Sequence, residues 1–216
     1  PDLRSETVIL CAHYDHLGVR DGKTLPGADD NASGVAGLLE LARMFAAAPR
    51  PRRSLFLLAF GAEEAGLLGS YYYVARPLRP LAGTRAVINL DMIGRDERPS
   101  QQTDGLVEIA PDTSNELNLV GVHASPDLAA LIRRENALVG LRISDKWDRD
   151  GVLNVLWRCD HFPFLLRGVP AVWFFNGFTP DYHTPGDTPE KINYAKMAKI
   201  VRLAYRVARA LADGEP

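Results

Sequence analysis

The sequence predicts a layered α/β protein, and three observations carry that reading. Short, continuously apolar runs recur along the 216 residues. Stretches of helical period lie between them. The chemically distinctive residues fall just after the apolar runs. Runs of this length suit strands buried on both faces, as in a sheet sandwiched between helices. They are Thr7 to Ala12, Ser54 to Phe60, Ala86 to Leu90, Leu106 to Ala110 and Ala171 to Phe175.

The helical stretches follow in order. Ser33 is placed to cap a helix whose apolar positions Val35, Leu38, Leu39, Ala42 and Phe45 repeat at helical spacing, and Pro49 and Pro51 end it. A second helix is expected from near Glu63 past Tyr73, and a third over about Pro126 to Leu138. The last is expected over about Pro189 to Leu211, with Met197, Ile200, Val201, Ala204, Val207 and Leu211 on one face. Strands alternating with helices argue for layers, and such folds gather ligands at the carboxyl ends of their strands. His13, Glu63, Asp91 and Asn176 all come just after apolar runs. Arg95 to Gly105 reads as a polar surface loop, and Ser144 to Arg158 shows no clear period.

The length suits one ordinary domain with a substantial core. The hydrophobic share is 46% and the formal net charge is -2. That balance gives no pointer to nucleic acid or a membrane surface as partner. No apolar run approaches the roughly 20 residues that span a bilayer. Cys11, inside an apolar run, reads as a small buried free thiol. Cys159, beside Asp160 and His161, reads as a neighbour of the site, and nothing in the sequence brings the two cysteines together.

Two adjacent acidic pairs carry the chemistry: Asp29-Asp30, followed by Asn31, and Glu63-Glu64, preceded by Gly61 and Ala62. Neighbouring carboxylates repel, so such pairs are costly unless solvated or neutralised by a cation. His13 and Asp15 precede them, Asp91 follows, and His183 comes near the end. Each has an ordinary reading alone: Asp29-Asp30-Asn31 as a turn, Glu63-Glu64 as a solvated first helical turn, Asp187 as a turn or cap. Together they read as an oxygen-and-imidazole cage for two divalent ions, with one carboxylate left over as a base. Zinc accepts both donor types, and paired ions about 3.5–4 Å apart need a bridging carboxylate with terminal ligands on each side. His13, Asp30, Glu64, Asp91 and His183 supply that set. That combination points to metal-assisted hydrolysis.

These motifs, in this order, resemble the M28 zinc aminopeptidases. The resemblance rests on His13-Tyr-Asp15, on Gly27 to Gly34, on Gly61 to Gly66, on Asn89 to Gly94, on Cys159 to Pro170 and on Tyr182-His-Thr-Pro. It runs from about Thr7 to Leu211. It implies a three-layer α/β/α sandwich with a central mixed, mostly parallel sheet. It implies two Zn2+ ions bridged by Asp30, with His13 and Asp91 on one and Glu64 and His183 on the other. Glu63 matches the general base, Asp15 the acid that orients the His13 ring, and Tyr182 a phenol that some members use to stabilise an oxyanion. Asp29 is then a neighbour and not a ligand. The implied substrates are peptides, cleaved at the N-terminal residue.

A glutaminyl-cyclase-like acyltransferase with one zinc, a carboxypeptidase on the same fold, and a metal-free binding module are the alternative readings. Residues 1–216 read as one metallopeptidase catalytic domain, either trimmed at its N-terminus or minimal in form, because members usually carry more sequence before the strand bearing His13. Members of this bacterial type are usually exported, so a secreted or periplasmic location is expected although no signal peptide is visible. A monomer is compatible with the sequence.

Overall fold

The computed structural model describes residues 3–149 and 151–214. Six strands form one sheet: β1 (Leu3–His13), β4 (Arg53–Phe60), β5 (Thr84–Leu90), β6 (Glu116–Val120), β7 (Arg142–Ser144) and β8 (Ala171–Phe175). A small hairpin of β2 (Val19–Arg20) and β3 (Lys23–Thr24) stands apart from it. The order across the sheet is β4-β1-β5-β8-β6-β7. All neighbours run parallel except β6 against β8, so the sheet is mixed and mostly parallel.

The pleat sends alternate side chains to opposite layers. Val8, Leu10 and Ala12 of β1 join Ile88, Leu90, Val172 and Phe174 against one helical layer. That layer is α1 (Gly34–Ala47), α3 (Pro126–Asn136) and α5 (Tyr194–Asp213). Ile9 and Cys11 face the other side, beside α2 (Leu68–Ala75) and α4 (Phe162–Leu165), where Val74 and Phe164 meet them. A third cluster of Trp147, Trp173, Phe175 and Phe178 closes that side near the strand ends. The result is a three-layer α/β/α sandwich.

The expected strand at Leu106 to Ala110 is absent, and those residues form turns and irregular chain with Leu106 exposed. The strand lies instead at β6, which the sequence disguises because Glu116 and Asn118 are polar. Both are buried with partners brought from elsewhere. Arg142 and Lys146 donate to Glu116, and Asn118 donates to Glu97. The second helix starts at Leu68 rather than near Glu63. Gly66 and Leu67 both take positive φ there, which interrupts a helical path.

Ser33 does not cap α1, since it is itself helical and its hydroxyl donates to the Asp29 carbonyl and accepts from Ile93 N–H. Asn31 Oδ1 accepts from Gly34 N–H instead. Within the expected apolar face of α1, Leu39 points to solvent. The last helix starts at Tyr194, after a separate single turn at Pro189–Lys191, and is capped by Asn193. Arg95 to Gly105 is a loop, yet Arg95 is buried against Asp181 and Glu97 is buried against Trp147 Nε1 and Lys146 Nζ.

These placements set a stability contrast. Phe174→Ala opens the middle of the larger core and should cost about 3–5 kcal/mol, whereas Leu39→Ala should change stability by no more than about 0.5 kcal/mol. Urea unfolding of the two variants checks this, and equal effects would contradict the assigned faces.

Candidate metal centre

His13 ends β1, Asp91 follows β5, and Glu63 and Glu64 follow β4 by three and four residues. All therefore emerge at one end of three neighbouring parallel strands. Asp30 reaches the same place from an irregular turn at Ala28–Ser33, whose Asp30–Asn31 peptide is cis. Asn31 ties that turn to the sheet. Its Nδ2 donates to the Leu90 carbonyl, and its Oδ1 accepts from Gly34 and Met92 N–H. Gly34 must be glycine here, because a Cβ would lie 2.2 Å from the Leu90 carbonyl oxygen.

Asp187 holds the turn from the far end of the chain. Its carboxylate accepts the N–H groups of Asp29 and Asp30 at 3.0–3.1 Å. Asp29 points away from the cluster, with Oδ1 accepting from Gly94 N–H at 2.7 Å, and burial beside Asp187 pushes it up to about 7. Asp15 accepts from the N–H groups of Glu63 and Glu64 and so orients the acidic pair. His13 Nδ1 meets the Asp15 backbone carbonyl at 3.1 Å, with the carboxylate farther off at 3.7 Å.

The five ligand candidates converge. Asp30 divides its carboxylate: Oδ1 lies 3.2 Å from His13 Nε2, and Oδ2 lies 2.9 Å from His183 Nε2. His13 Nε2 is 3.4 Å from Asp91 Oδ1, and His183 Nε2 is 3.3 Å from Glu64 Oε1. Donors held at about 2.0–2.2 Å in a tetrahedron around zinc stand about 3.3–3.6 Å apart. These spacings match that to within a few tenths of an ångström. Moreover, His13 Nε2, Glu64 Oε1 and Asp91 Oδ1 are buried without a hydrogen bond. Buried polar atoms are normally satisfied, so the residues present fit a pair of cations.

Further groups border the cluster. Glu63 Oε2 is 4.0 Å from His13 Nε2. The Tyr182 ring stacks on His183 with centroids 3.7 Å apart, and burial with the carboxylates of Asp30 and Glu64 raises its phenol pKa. Cys159 Sγ meets Asp91 Oδ2 at 2.8 Å, and Asn89 Nδ2 donates to Cys159 Sγ. Cys11 donates to Asn89 Oδ1, and both thiols are free and buried. Asp160 and His161 are fully buried behind the site, where burial pushes the acid up to about 7 and the imidazole down to about 3. Ala62, Met92 and His183, all non-glycine, adopt the left-handed backbone region around the site, a conformation with a cost of about 1–3 kcal/mol each.

Three residues here had no site role in the sequence reading. His16 comes three residues after His13, yet its ring lies 2.9 Å from Glu64 Oε1. Asn31 looked like turn punctuation, and Asp187 looked like a local cap rather than one for a turn over 150 residues away. Only the closeness of His16 to His13 in the chain was available as a signal. Two sizeable cavities of 370 and 390 Å³ lie elsewhere, between α1 and α5 and beside the start of α3. Neither collects imidazoles and carboxylates.

A model of the peptidase family M28 matches residues 1–208. The chain belongs to that family. It is 29% identical over 210 residues to the probable lipoprotein aminopeptidase LpqL of Mycobacterium tuberculosis, covering 88% of this chain and 39% of that protein. The structure of BSAP, a zinc aminopeptidase from Bacillus subtilis, superposes with a TM-score of 0.75 at 27% identity, covering 97% of this chain and 47% of that one. Glutaminyl cyclase of Porphyromonas gingivalis shares the fold, with a TM-score of 0.74 at 22% identity over 94% of this chain and 73% of that one. Curated relatives are matched over 24% to 64% of their own length. No helix among the described residues is long and apolar enough to cross a membrane.

Protonation of this M28 site would set how it takes up cations. Burial opposes a charge on His183, but the hydrogen bond to Asp30 and the nearby Glu64 carboxylate outweigh it and push its pKa up to about 9. Burial also opposes a charge on His13, and the carboxylates of Asp91, Asp15 and Asp30 overcome it and raise its pKa well above the ordinary value. Below about pH 9 a cation must therefore displace the His183 proton, so apparent affinity weakens as pH falls. Zinc affinity should strengthen roughly tenfold per pH unit between about pH 7 and 8.5 for each proton displaced. Titration calorimetry in buffers of different ionisation heat measures that release, and a pH-independent affinity would contradict it.

Proposed function

We propose that residues 1–216 form one catalytic domain of a metallo-aminopeptidase, a hydrolase that releases N-terminal residues from peptides using two zinc ions bridged by Asp30. The observation that carries this is the divided Asp30 carboxylate, one oxygen facing His13 and the other facing His183. The name of BSAP, a zinc aminopeptidase, supports both the metal and the activity. When bound, zinc supplies Lewis acidity that polarises a carbonyl and makes water a nucleophile near neutral pH.

This chain's own groups do the rest. His13, Asp30 and Asp91 would hold one position, and Asp30, Glu64 and His183 would hold the other. Glu63 is the proton carrier: it takes a proton from the attacking water and returns it to the leaving amine. Burial and the negative charge of Asp91 push its carboxyl up to about 10 without a cation. Positive charge among its neighbours would bring it back toward the range where both transfers are feasible. Asp15 fixes Glu63 and Glu64 through their N–H groups. Tyr182, kept protonated, offers a hydrogen bond to the oxyanion.

The cyclase shares the fold and is the second reading, but a one-zinc site leaves one half of the imidazole–carboxylate cluster without a task. Metal analysis paired with aminoacyl chromogenic substrates separates the two. Two zinc ions with release of free N-terminal residues support the aminopeptidase. One zinc with pyroglutamate formation supports the cyclase, and activity only on substrates with blocked N-termini supports a carboxypeptidase.

The place of action proposed is outside the cytoplasm, supported by the lipoprotein named among the relatives. The codons upstream of Pro1 should then encode an export signal. An initiator Met within a few residues, with no apolar run before Pro1, would contradict that.

Two substitutions separate the acidic neighbours. Glu64→Ala should lose zinc together with activity. Glu63→Gln should keep its zinc and fold while turnover falls roughly 10²–10⁴-fold, the usual scale of acid–base catalysis. Zinc content and kcat measured together check this, and near-normal turnover in Glu63→Gln would exclude it as the base.

A further inference from the structure

We infer that His16 is an additional ligand at the His183 side of the centre, so that the two metal positions are unequal. That side would present four protein donors, from His16, Asp30, Glu64 and His183, against three from His13, Asp30 and Asp91 on the other. The inference rests on the two-metal reading above.

The geometry of the ring carries it. His16 Nδ1 lies 2.9 Å from Glu64 Oε1 and 3.9 Å from Asp30 Oδ2. Those spacings bracket the roughly 3.3–3.6 Å edge of a tetrahedral zinc site. Despite the close approach, His16 Nδ1 and Glu64 Oε1 both lack a hydrogen bond, as does His16 Nε2. At 2.9 Å the pair is close without the alignment of a hydrogen bond. His16, Asp30 and Glu64 each offer one atom, all within 4.8 Å of one another, as a group able to hold an ion. The rings of His16 and His183 meet edge to face with centroids 5.7 Å apart. Two imidazoles on one ion, with Zn–N of about 2.0–2.1 Å, put their ring centres roughly 5–6 Å apart.

The backbone is built to seat that ring. Gly27, at φ +63°, passes so close that a Cβ would lie 2.6 Å from His16 Cγ and 2.4 Å from the Asp30 carbonyl oxygen. Only glycine lets the turn bearing Asp30 and the loop bearing His16 approach this closely. The hairpin of β2 and β3 follows His16, and Leu25 N–H closes it onto the Gly18 carbonyl. His16 is 11% exposed at its side chain, so its unbonded nitrogens do not face bulk water.

An extra donor makes the His183 side fill first and bind more tightly. It also leaves the His13 side with fewer protein donors and thus more room for substrate. The experiment is stepwise loading of the metal-free protein, followed by metal content, calorimetry, Co2+ absorption and X-ray absorption. In the wild type the first equivalent of zinc should show two imidazoles in its shell. His16→Ala should weaken the tighter step by roughly 100-fold or more, because even loss of an outer partner of a ligand costs about 10–100-fold. The weaker step should stay within a few-fold.

The Co2+ spectrum of the first equivalent should change in His16→Ala and in His16→Gln. Melting of the metal-free variants checks that they fold, and the wild-type imidazole count stands even if they do not. One imidazole at the first equivalent, or unchanged affinities and spectra in both variants, would overturn the inference and leave the two-metal reading intact. A wild-type protein that takes up a single ion would overturn the two-metal reading, yet His16 should still weaken that ion's binding when removed. Uptake of no ion would overturn both.

Discussion

The carboxylates of Asp30, Glu63, Glu64 and Asp91 share a small, largely buried space, and their mutual repulsion is the constraint on which the rest of the structure depends. Charge is costly in a low-dielectric surround unless it is compensated. His13 and His183 supply part of the compensation by holding protons. Asp30 illustrates the balance, because burial raises its pKa while close contacts with the imidazoles of His13 and His183 hold it far below the ordinary value. A pair of cations would relieve the same repulsion directly and release the imidazole protons.

Holding such a cluster together needs groups that do no chemistry. Asn31 joins the Asp30 turn to the ends of β1 and β5, Asp187 anchors the same turn through two N–H groups, and Asp15 does likewise for the acidic pair. These bonds aim backbone N–H groups at carboxylates that point away from the centre, so the supporting acids add little repulsion inside it. Behind Asp91 the chain of Cys11, Asn89 and Cys159 continues this support through neutral donors. The left-handed residues at Ala62, Met92 and His183 are tolerated because this web over-determines their positions.

Asymmetry is the second theme. Asp30 is central, but its two sides are not alike. One faces β1 and β5 and is sealed by Asp91 and Cys159; the other faces two loops and contains His16 and His183. A rigid sheet edge and a looped edge around one carboxylate suit unequal roles for the two positions.

The sequence by itself determined the class of fold, the five converging ligand candidates and the family, because short apolar runs and motif order are local signals that survive without coordinates. It misplaced the strand at Leu106 to Ala110, started α2 too early and missed β6. For β6 the deciding interaction is distant in the chain, because Arg142 and Lys146 compensate Glu116; at α2 the positive φ of Gly66 and Leu67 delays the helix while Asp15 holds the N–H groups of Glu63 and Glu64. Only the tertiary structure decided that His16 turns its ring toward Glu64 and that Asp187 anchors a turn at the opposite end of the chain. Charge repulsion and hydrogen-bond geometry act through space, and no pattern of spacing along a chain records which distant partner will arrive.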